Sequence, residues 1–402
     1  MVDIKPFKGT RPFNEDAKSL IAPSTDHLSI ENIEIFRKNN YWNYLKILNP
    51  VGQLKETDTL LEAKLHFSEM KENDVIKKDI DDHYYVYQIE FKGHTQTGFL
   101  SLANIDDFTN EKIKAHEKIY ENRMRERAEQ MLNIKTQIGP IYVVFKENSD
   151  ISNLLNSIIN KNPDYDFESF DKSVHKLWCV SSQEFILTLS SFFSKQIDNF
   201  YIADGHHRMG AMKLIGELKY NKNINQNNFM IAAFSSNEAK IFDYNRVVKD
   251  LNGLSEKKFL ELISQNFEIN KEDKAFKPIK NKQFGMYHGN KWYSLECKKL
   301  LKIDSFIDTL DINILNNYIF KKYLNIKDVN NDERIRFIAG CHGLGALEKK
   351  VNENKDSVAF SIFPSNISDV MKVADNKLTM PPKSTWFDPK PLDGLVVYEF
   401  EK

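Results

Sequence analysis

The order of elements along the chain predicts an α/β (α+β) protein, and three observations carry that expectation. Apolar runs of strand length alternate with stretches of helical periodicity from the N-terminus to the C-terminus. One of those runs, FYIA at 200–203, passes straight through an Asp-Gly junction into a helix-forming segment. No internal repeat of fixed period and no low-complexity tail interrupts the alternation.

The elements follow in order. YYVYQIEF at 84–91 alternates as a half-buried strand does, and GFLSLANI at 98–105 follows across a KGHTQT turn, which predicts a hairpin. Residues 110–132 read as one long charged helix, followed by a strand in PIYVVF at 140–145. A helix near 150–160, a strand at 177–180, a helix near 182–195, the strand 200–203 and the helix MGAMKLIGELKY come next, and then a strand at 229–234. The Asn/Lys-rich pieces 220–228 and 270–283 read as exposed connections. Beyond them the pattern predicts a helix at 306–323, a strand at 335–339, a helix at 343–352, a strand at 358–363, a helix at 366–375 and a last strand at 395–400.

Composition narrows the function classes. The 402 residues hold 56 Lys+Arg against 57 Asp+Glu, with 41% hydrophobic and 28% charged residues. At ~150 residues per domain this length gives two or three lobes with ample core. A net charge of −1 argues against a dedicated nucleic-acid or membrane-surface binder. No run approaches the ~18 apolar residues of a membrane span, and the opening MVDIKPFKGTRPF has no apolar h-region. Cys179, Cys297 and Cys341 share no metal or disulfide spacing, so a reducing, cytoplasmic setting is expected.

The candidate chemistry centres on Asp204-Gly205-His206-His207-Arg208. Gly205 permits a tight turn, the helix start offers outward N–H groups and positive potential, and Arg208, His206 and His207 add side-chain donors. Asp204 repels a phosphate, so its use there is to hold Mg²⁺ or to orient a histidine. An N-cap with two partly exposed histidines is the competing structural reading, and a zinc site lacks a third ligand nearby in sequence.

Within the 110–132 helix, Ile113, Tyr120, Met124, Ala128 and Met131 form an apolar stripe into which Glu117 falls, with His116 before it. An inward carboxylate is costly unless it is paired, with Arg123 or Arg208, or used as a general base. The proline-pinned loop Met380–Thr385 presents Lys383, Ser384 and Thr385 and, with Arg246, serves as a substrate grip or as turn and surface residues. Lys8, Arg11, Asp26 and His27 are weaker polar candidates, and Cys341-His342 lacks an acid to complete a nucleophile.

ADGHHR at 203–208 after a strand, with AHEKIYENR at 115–123 and GPIYVV at 139–144, resembles the ParB/sulfiredoxin-like superfamily and, within it, the free serine kinase branch. From IKPFKGTRPF to MPPKSTWFDPK, the chain is similar to a widespread prokaryotic family of unknown function. The resemblance implies an N-terminal lobe over 1–110, a nucleotide-phosphate-binding core over 111–250 and a C-terminal lobe over 251–402. It further implies Glu117 as the base drawing a proton from a hydroxyl, with Asp204, Gly205, His206, His207 and Arg208 on nucleotide phosphates and Mg²⁺. The family's usual Pro-Pro-Tyr-Asp-Val reads APSTDH at 22–27 here, and its usual His before Arg246 is Asn245, so the acceptor stays open.

Two classes of function follow as expectations. One is an ATP- or ADP-dependent kinase acting on the hydroxyl of free L-serine or a similar small metabolite, with no nucleic-acid or membrane partner. The other is a nucleotide-binding regulatory protein without phosphoryl transfer. A sulfiredoxin-like redox enzyme needs a cysteine beside the phosphate motif, and none of the three cysteines lies there.

Overall fold

The computed structural model describes residues 1–13, 16–22, 28–48, 56–217, 227–298 and 305–400. Asp26, His27 and the departure at 23–27 fall outside these, as do the last residues of the expected helix at 209–220 and most of the connection at 220–228. The chain divides into two compact units, Met1–Ala239 with Pro389–Lys402, and Lys240–Asp388.

The first unit is built on a nine-stranded mixed sheet. Its strands are β1 (Ile4–Lys5), β2 (Tyr84–Phe91), β3 (His94–Asn104), β4 (Ile113–Lys114), β5 (Ile141–Phe145), β6 (Tyr165–Glu168), β7 (Val174–Val180), β8 (Phe200–Asp204) and β9 (Asn228–Ser235). Their order is β4-β8-β5-β9-β3-β2-β7-β6, with β1 also on β3. The pairs β4/β8 and β5/β9 are parallel and the remaining pairs antiparallel. Every residue of β5 and β9 is buried, which is why IYVVF and NFMIAAFS read as continuous apolar runs rather than alternating ones. Flanking helices include α1 (Ile30–Asn39), α2 (Glu56–Glu72), α3 (Glu121–Ile134), α4 (Ser149–Ile159), α5 (Gln183–Gln196) and α6 (His206–Glu217).

The expected hairpin forms, but its turn is only Lys92-Gly93, both with positive φ (50° and 73°), the geometry that suits a two-residue hairpin. HTQT therefore belongs to β3. The expected helix over 110–132 is a larger correction. Glu111 takes a φ of 62°, Ile113 and Lys114 pair with Phe200 and Tyr201, and the helix α3 begins only at Glu121. Sheet pairing of Ile113 overrides the local helical periodicity, so Glu117 is not on a helix stripe at all. The three-lobe division is likewise redrawn: a boundary near 110 would cut through one sheet, since β2 and β3 lie inside it beside β9 and β7.

The second unit holds a six-stranded sheet of β10 (Tyr244–Val248), β11 (Phe267–Glu272), β12 (Gln283–His288), β13 (Lys291–Cys297), β14 (Ile335–Ala339) and β15 (Val358–Ile362). The order is β11-β13-β12-β15-β10-β14, antiparallel throughout. Helices α7 (Glu256–Ile263), α8 (Leu344–Asn352) and α9 (Ile367–Asp375) accompany it. The helix expected at 306–323 breaks into a 3₁₀ turn at Ile307–Thr309, a short α-helix at Asp311–Leu315 and a π turn at Asn316–Phe320. The strand expected at 395–400 is reduced to Tyr398–Glu399, paired with Thr136–Gln137. The mixed α/β class holds in both units, and among the described residues no helix is long and apolar enough to cross a membrane.

Candidate active site

The strand β8 delivers the central motif. Its pairing with β5 shifts register between Ile202 and Asp204, a bulge that ends the ladder and turns Asp204 toward a cleft. Gly205 follows with φ +95°, a conformation that side chains disfavour, and α6 starts at His206. The first turn of a helix lacks intrahelical acceptors for its N–H groups, so this junction carries amide donors and the positive end of the dipole.

The cleft these residues line has a volume of about 710 Å³ and lies within the first unit. Its charged and ionisable walls are Glu117, Arg123, Glu126, Arg127, Asp204, His206, His207, Arg208, Lys390 and Asp393. Its apolar walls include Leu45, Ile47, Leu60, Ala63, Met131 and Ile134.

Among the charged walls, Arg208 donates through Nη1 to the Pro140 carbonyl at 2.8 Å and to Asp393 Oδ1 at 3.0 Å, and through Nη2 to Asp204 Oδ2 at 3.2 Å. Lys390 Nζ stands 2.9 Å from Asp204 Oδ1. Burial acts to raise the Asp204 carboxyl, but Lys390 and Arg208 outweigh it and hold the group well below the usual carboxylate range. Gly139 is required for this arrangement: a Cβ there would fall 2.0 Å from Asp393 Oδ1 and 2.3 Å from Arg208 Nη1.

The histidines are electrostatically quiet. His206 is buried, and desolvation lowers its pKa to about 4, so it is neutral near pH 7. Its Nε2 accepts the His116 backbone N–H at 3.4 Å, which leaves the ring proton on Nδ1, 3.5 Å from Glu117 Oε2. His116 is buried edge-on to His206, ring centroids 4.6 Å apart, and burial pushes it down to about 3. His207 accepts the Tyr120 N–H at 3.3 Å through Nε2 and stacks on the Tyr120 ring, and burial lowers its pKa as well.

The structure therefore brings Glu117, Asp204, Gly205, His206, His207 and Arg208 to one cleft. It does not bring His116 there. His116 was expected beside Glu117 as a catalytic group, but it sits behind the wall and acts on the site through His206. Glu117 does not face the interior as a helix stripe would require: its carboxylate is 41% exposed at the cleft, with His206 Nδ1 3.5 Å from Oε2. Arg246, Lys383 and Ser384 line a cavity wholly within the second unit, and Thr385 is not among its walls.

Lys390, Asp393, Arg123 and Arg127 were not singled out as site residues. Lys390 closes the MPPKSTWFDPK segment, so that motif carried its signal. Asp393 had none, because only the tertiary return of the C-terminal segment to residues 136–138 brings it to Arg208.

A metal ion was expected at Asp204. Both of its oxygens are committed to Lys390 and Arg208, and among the described residues no three His, Cys, Asp or Glu side chains gather as a cation site. The residues as arranged do not fit a protein-held Mg²⁺.

Fold and cleft define an α/β protein with a strand–turn–helix junction beside an accessible carboxylate. The chain belongs to the family described as protein of unknown function DUF1015, which matches residues 4–313. A search of curated proteins returns no match. Among solved structures, the chain is similar to SbnI with C-terminal truncation from Staphylococcus aureus (14% identity, 73% of this chain and 85% of that one, TM-score 0.39). It is also similar to a free serine kinase variant in complex with AMP (13% identity, 75% and 92%, TM-score 0.39) and to a conserved hypothetical protein from Pyrococcus furiosus (13%, 73% and 91%, TM-score 0.33).

Proposed function

We propose that this protein is a phosphotransferase moving a phosphoryl group from ATP or ADP to the hydroxyl of free L-serine or a similar small metabolite. The observation that supports it most is the placement, on one cleft, of a helix N-terminus flanked by Arg208, Lys390, Arg123 and Arg127 together with Glu117. Phosphoryl transfer needs positioning and charge neutralisation more than covalent chemistry, and these residues supply both. The amides after Gly205 and the surrounding cations take the phosphates. The apolar walls, Ile47, Ala63 and Met131 among them, take the base.

Glu117 accepts the proton of the acceptor hydroxyl as that oxygen attacks the terminal phosphorus and the bond to the donor's bridging oxygen breaks. His206, neutral and with Nδ1 3.5 Å from Glu117 Oε2, flanks the carboxylate without adding positive charge that would weaken it as a base. Mg²⁺ in such reactions is held largely by phosphates and water. A nucleotide substrate and free cysteines suit a cytoplasmic setting.

The test is product formation. With nucleotide, Mg²⁺ and L-serine, the wild-type protein yields O-phosphoserine and Glu117→Gln lowers turnover at least 100-fold, on the scale of a lost general base, while nucleotide affinity stays within about twofold. Tight nucleotide binding with no product across a panel of hydroxy metabolites would instead favour a regulatory nucleotide-binding protein.

A further inference from the structure

The second unit holds a cavity of about 260 Å³ whose charged walls play no part in the chemistry above. Arg246 lines it, fully buried. Its Nη atoms donate to the main-chain carbonyls of Tyr244, Pro382 and Lys383, and the Phe337 ring lies 4.6 Å from the guanidinium carbon. Its Nε is shielded from solvent and has no hydrogen-bond partner. Among the described residues no carboxylate pairs with it: Asp243, which lines the same cavity, accepts from Asn245 through Oδ2 and has Lys277 Nζ 3.7 Å from its Oδ1, which has no hydrogen-bond partner.

On another wall, Asp311 accepts the Lys282 N–H at 2.8 Å through Oδ1, while its Oδ2 is shielded and has no partner. One cavity thus contains a buried cation lacking an anion and a carboxylate oxygen lacking a donor, and the two are not paired with each other. Each is costly when left in this state, and a ligand bearing both signs of charge relieves both costs at once. The volume lies below the ~300–1,000 Å³ of pockets for drug-sized ligands, which limits the occupant to a small metabolite.

We propose that this cavity binds a small free amino acid, its carboxylate on Arg246 and its ammonium on Asp311. Burial acts on both groups in the direction that a zwitterion reverses, lowering Arg246 to about 9 and raising Asp311 to about 7. Lys282, Asp369 and Cys297 also face Asp311, and the bound ammonium adds to the Lys282 charge in favouring the carboxylate. Lys383, an exposed lining residue over the Tyr244 ring, supplies a second cation for the carboxylate.

The experiment is isothermal titration calorimetry on the full chain without nucleotide, using L-serine and L-alanine, with propionate and ethylamine as single-charge probes. The amino acids bind, propionate and ethylamine bind at least tenfold more weakly, and Asp311→Asn and Arg246→Lys each weaken amino-acid binding at least tenfold. If Arg246→Lys does not fold, the isosteric Asp311→Asn decides alone. No amino-acid binding, propionate binding as tight as alanine, or affinity unchanged in Asp311→Asn would overturn the proposal. So would binding lost in Glu117→Gln and kept in Asp311→Asn, which would move the ligand to the first unit's cleft. Because nucleotide is absent, failure here leaves phosphoryl transfer standing, and absence of transfer leaves this binding standing.

Discussion

Single residues decide the electrostatics of the cleft. Asp204 is clamped by Lys390 and Arg208, and Arg208 in turn by Asp393, so the strongest charges in the site are arranged before any ligand enters. Replacing Lys390 by Met leaves Asp204 with one cationic partner and removes a phosphate contact; nucleotide affinity, read by calorimetry, falls about 10–100-fold, the range for one lost charge-assisted contact of ~1.5–3 kcal/mol. Gly139→Ala inserts a methyl between Asp393 and Arg208 and produces a similar loss while leaving the fold intact, because the atoms it displaces are the ends of flexible side chains. A Gly139→Ala protein with full nucleotide affinity would show that the Arg208–Asp393 pair is incidental. The sequence singled out Asp204 through Arg208 because a strand, an Asp-Gly and a helix start lie together within nine residues. Lys390 and Asp393 lie some 180 residues further on, and no local pattern joins them to Arg208.

At the level of elements, the junction between β8 and α6 does the positioning, and the segment between β4 and α3 supplies the carboxylate. Periodicity gave the strands 84–91, 141–145 and 200–203 closely, since burial on one or both faces leaves a plain apolar signature. It misplaced 110–120, where the short parallel pairing of Ile113 with Phe200 governs and no local signal marks it. The reading of Glu117 as a buried stripe residue was lost with that helix, yet its place at the cleft survives by a different route.

These packed elements also bury neutral histidines, which carries a consequence for pH. His116 and His206 have folded pKa values of about 3 and about 4 against an ordinary 6.5. A histidine whose pKa is depressed on folding binds more protons when unfolded, so stability rises with pH. The penalty begins as pH falls below 6.5 and grows by up to about 1.4 kcal/mol per histidine per pH unit until the folded pKa is reached. His66 and His175, both lowered to about 4 by burial, contribute in the same direction. Thermal melts between pH 7.5 and 5 will show Tm level down to about pH 6.5 and falling increasingly below it, and His206→Asn will flatten part of that fall. A Tm independent of pH across that range would contradict the neutral, buried assignment.

Over the whole molecule, the near-zero net charge is repeated locally: the first unit's cleft sets Arg123, Arg127, Arg208 and Lys390 against Glu117, Glu126, Asp204 and Asp393, and the second unit's cavity sets Arg246, Lys282 and Lys383 against Asp243, Asp311 and Asp369. The two units were not legible as such. The first closes only when Pro389–Lys402 returns to it, and a boundary defined by a returning strand segment leaves no compositional mark. The mixed α/β class was legible, because it depends on the alternation of elements rather than on which of them pair.

The central claim is that the cleft transfers phosphate and that Glu117 takes the proton. Its most direct test is phosphorus NMR of wild-type and Glu117→Gln protein incubated with ATP or ADP, Mg²⁺ and L-serine. The account predicts a phosphomonoester of the acceptor that accumulates with the wild type, depends on added serine or a related hydroxy metabolite, and is lost in Glu117→Gln while nucleotide binding persists. Equal product formation by the two proteins, or no acceptor-dependent phosphomonoester from a wild-type protein that binds nucleotide, would contradict it.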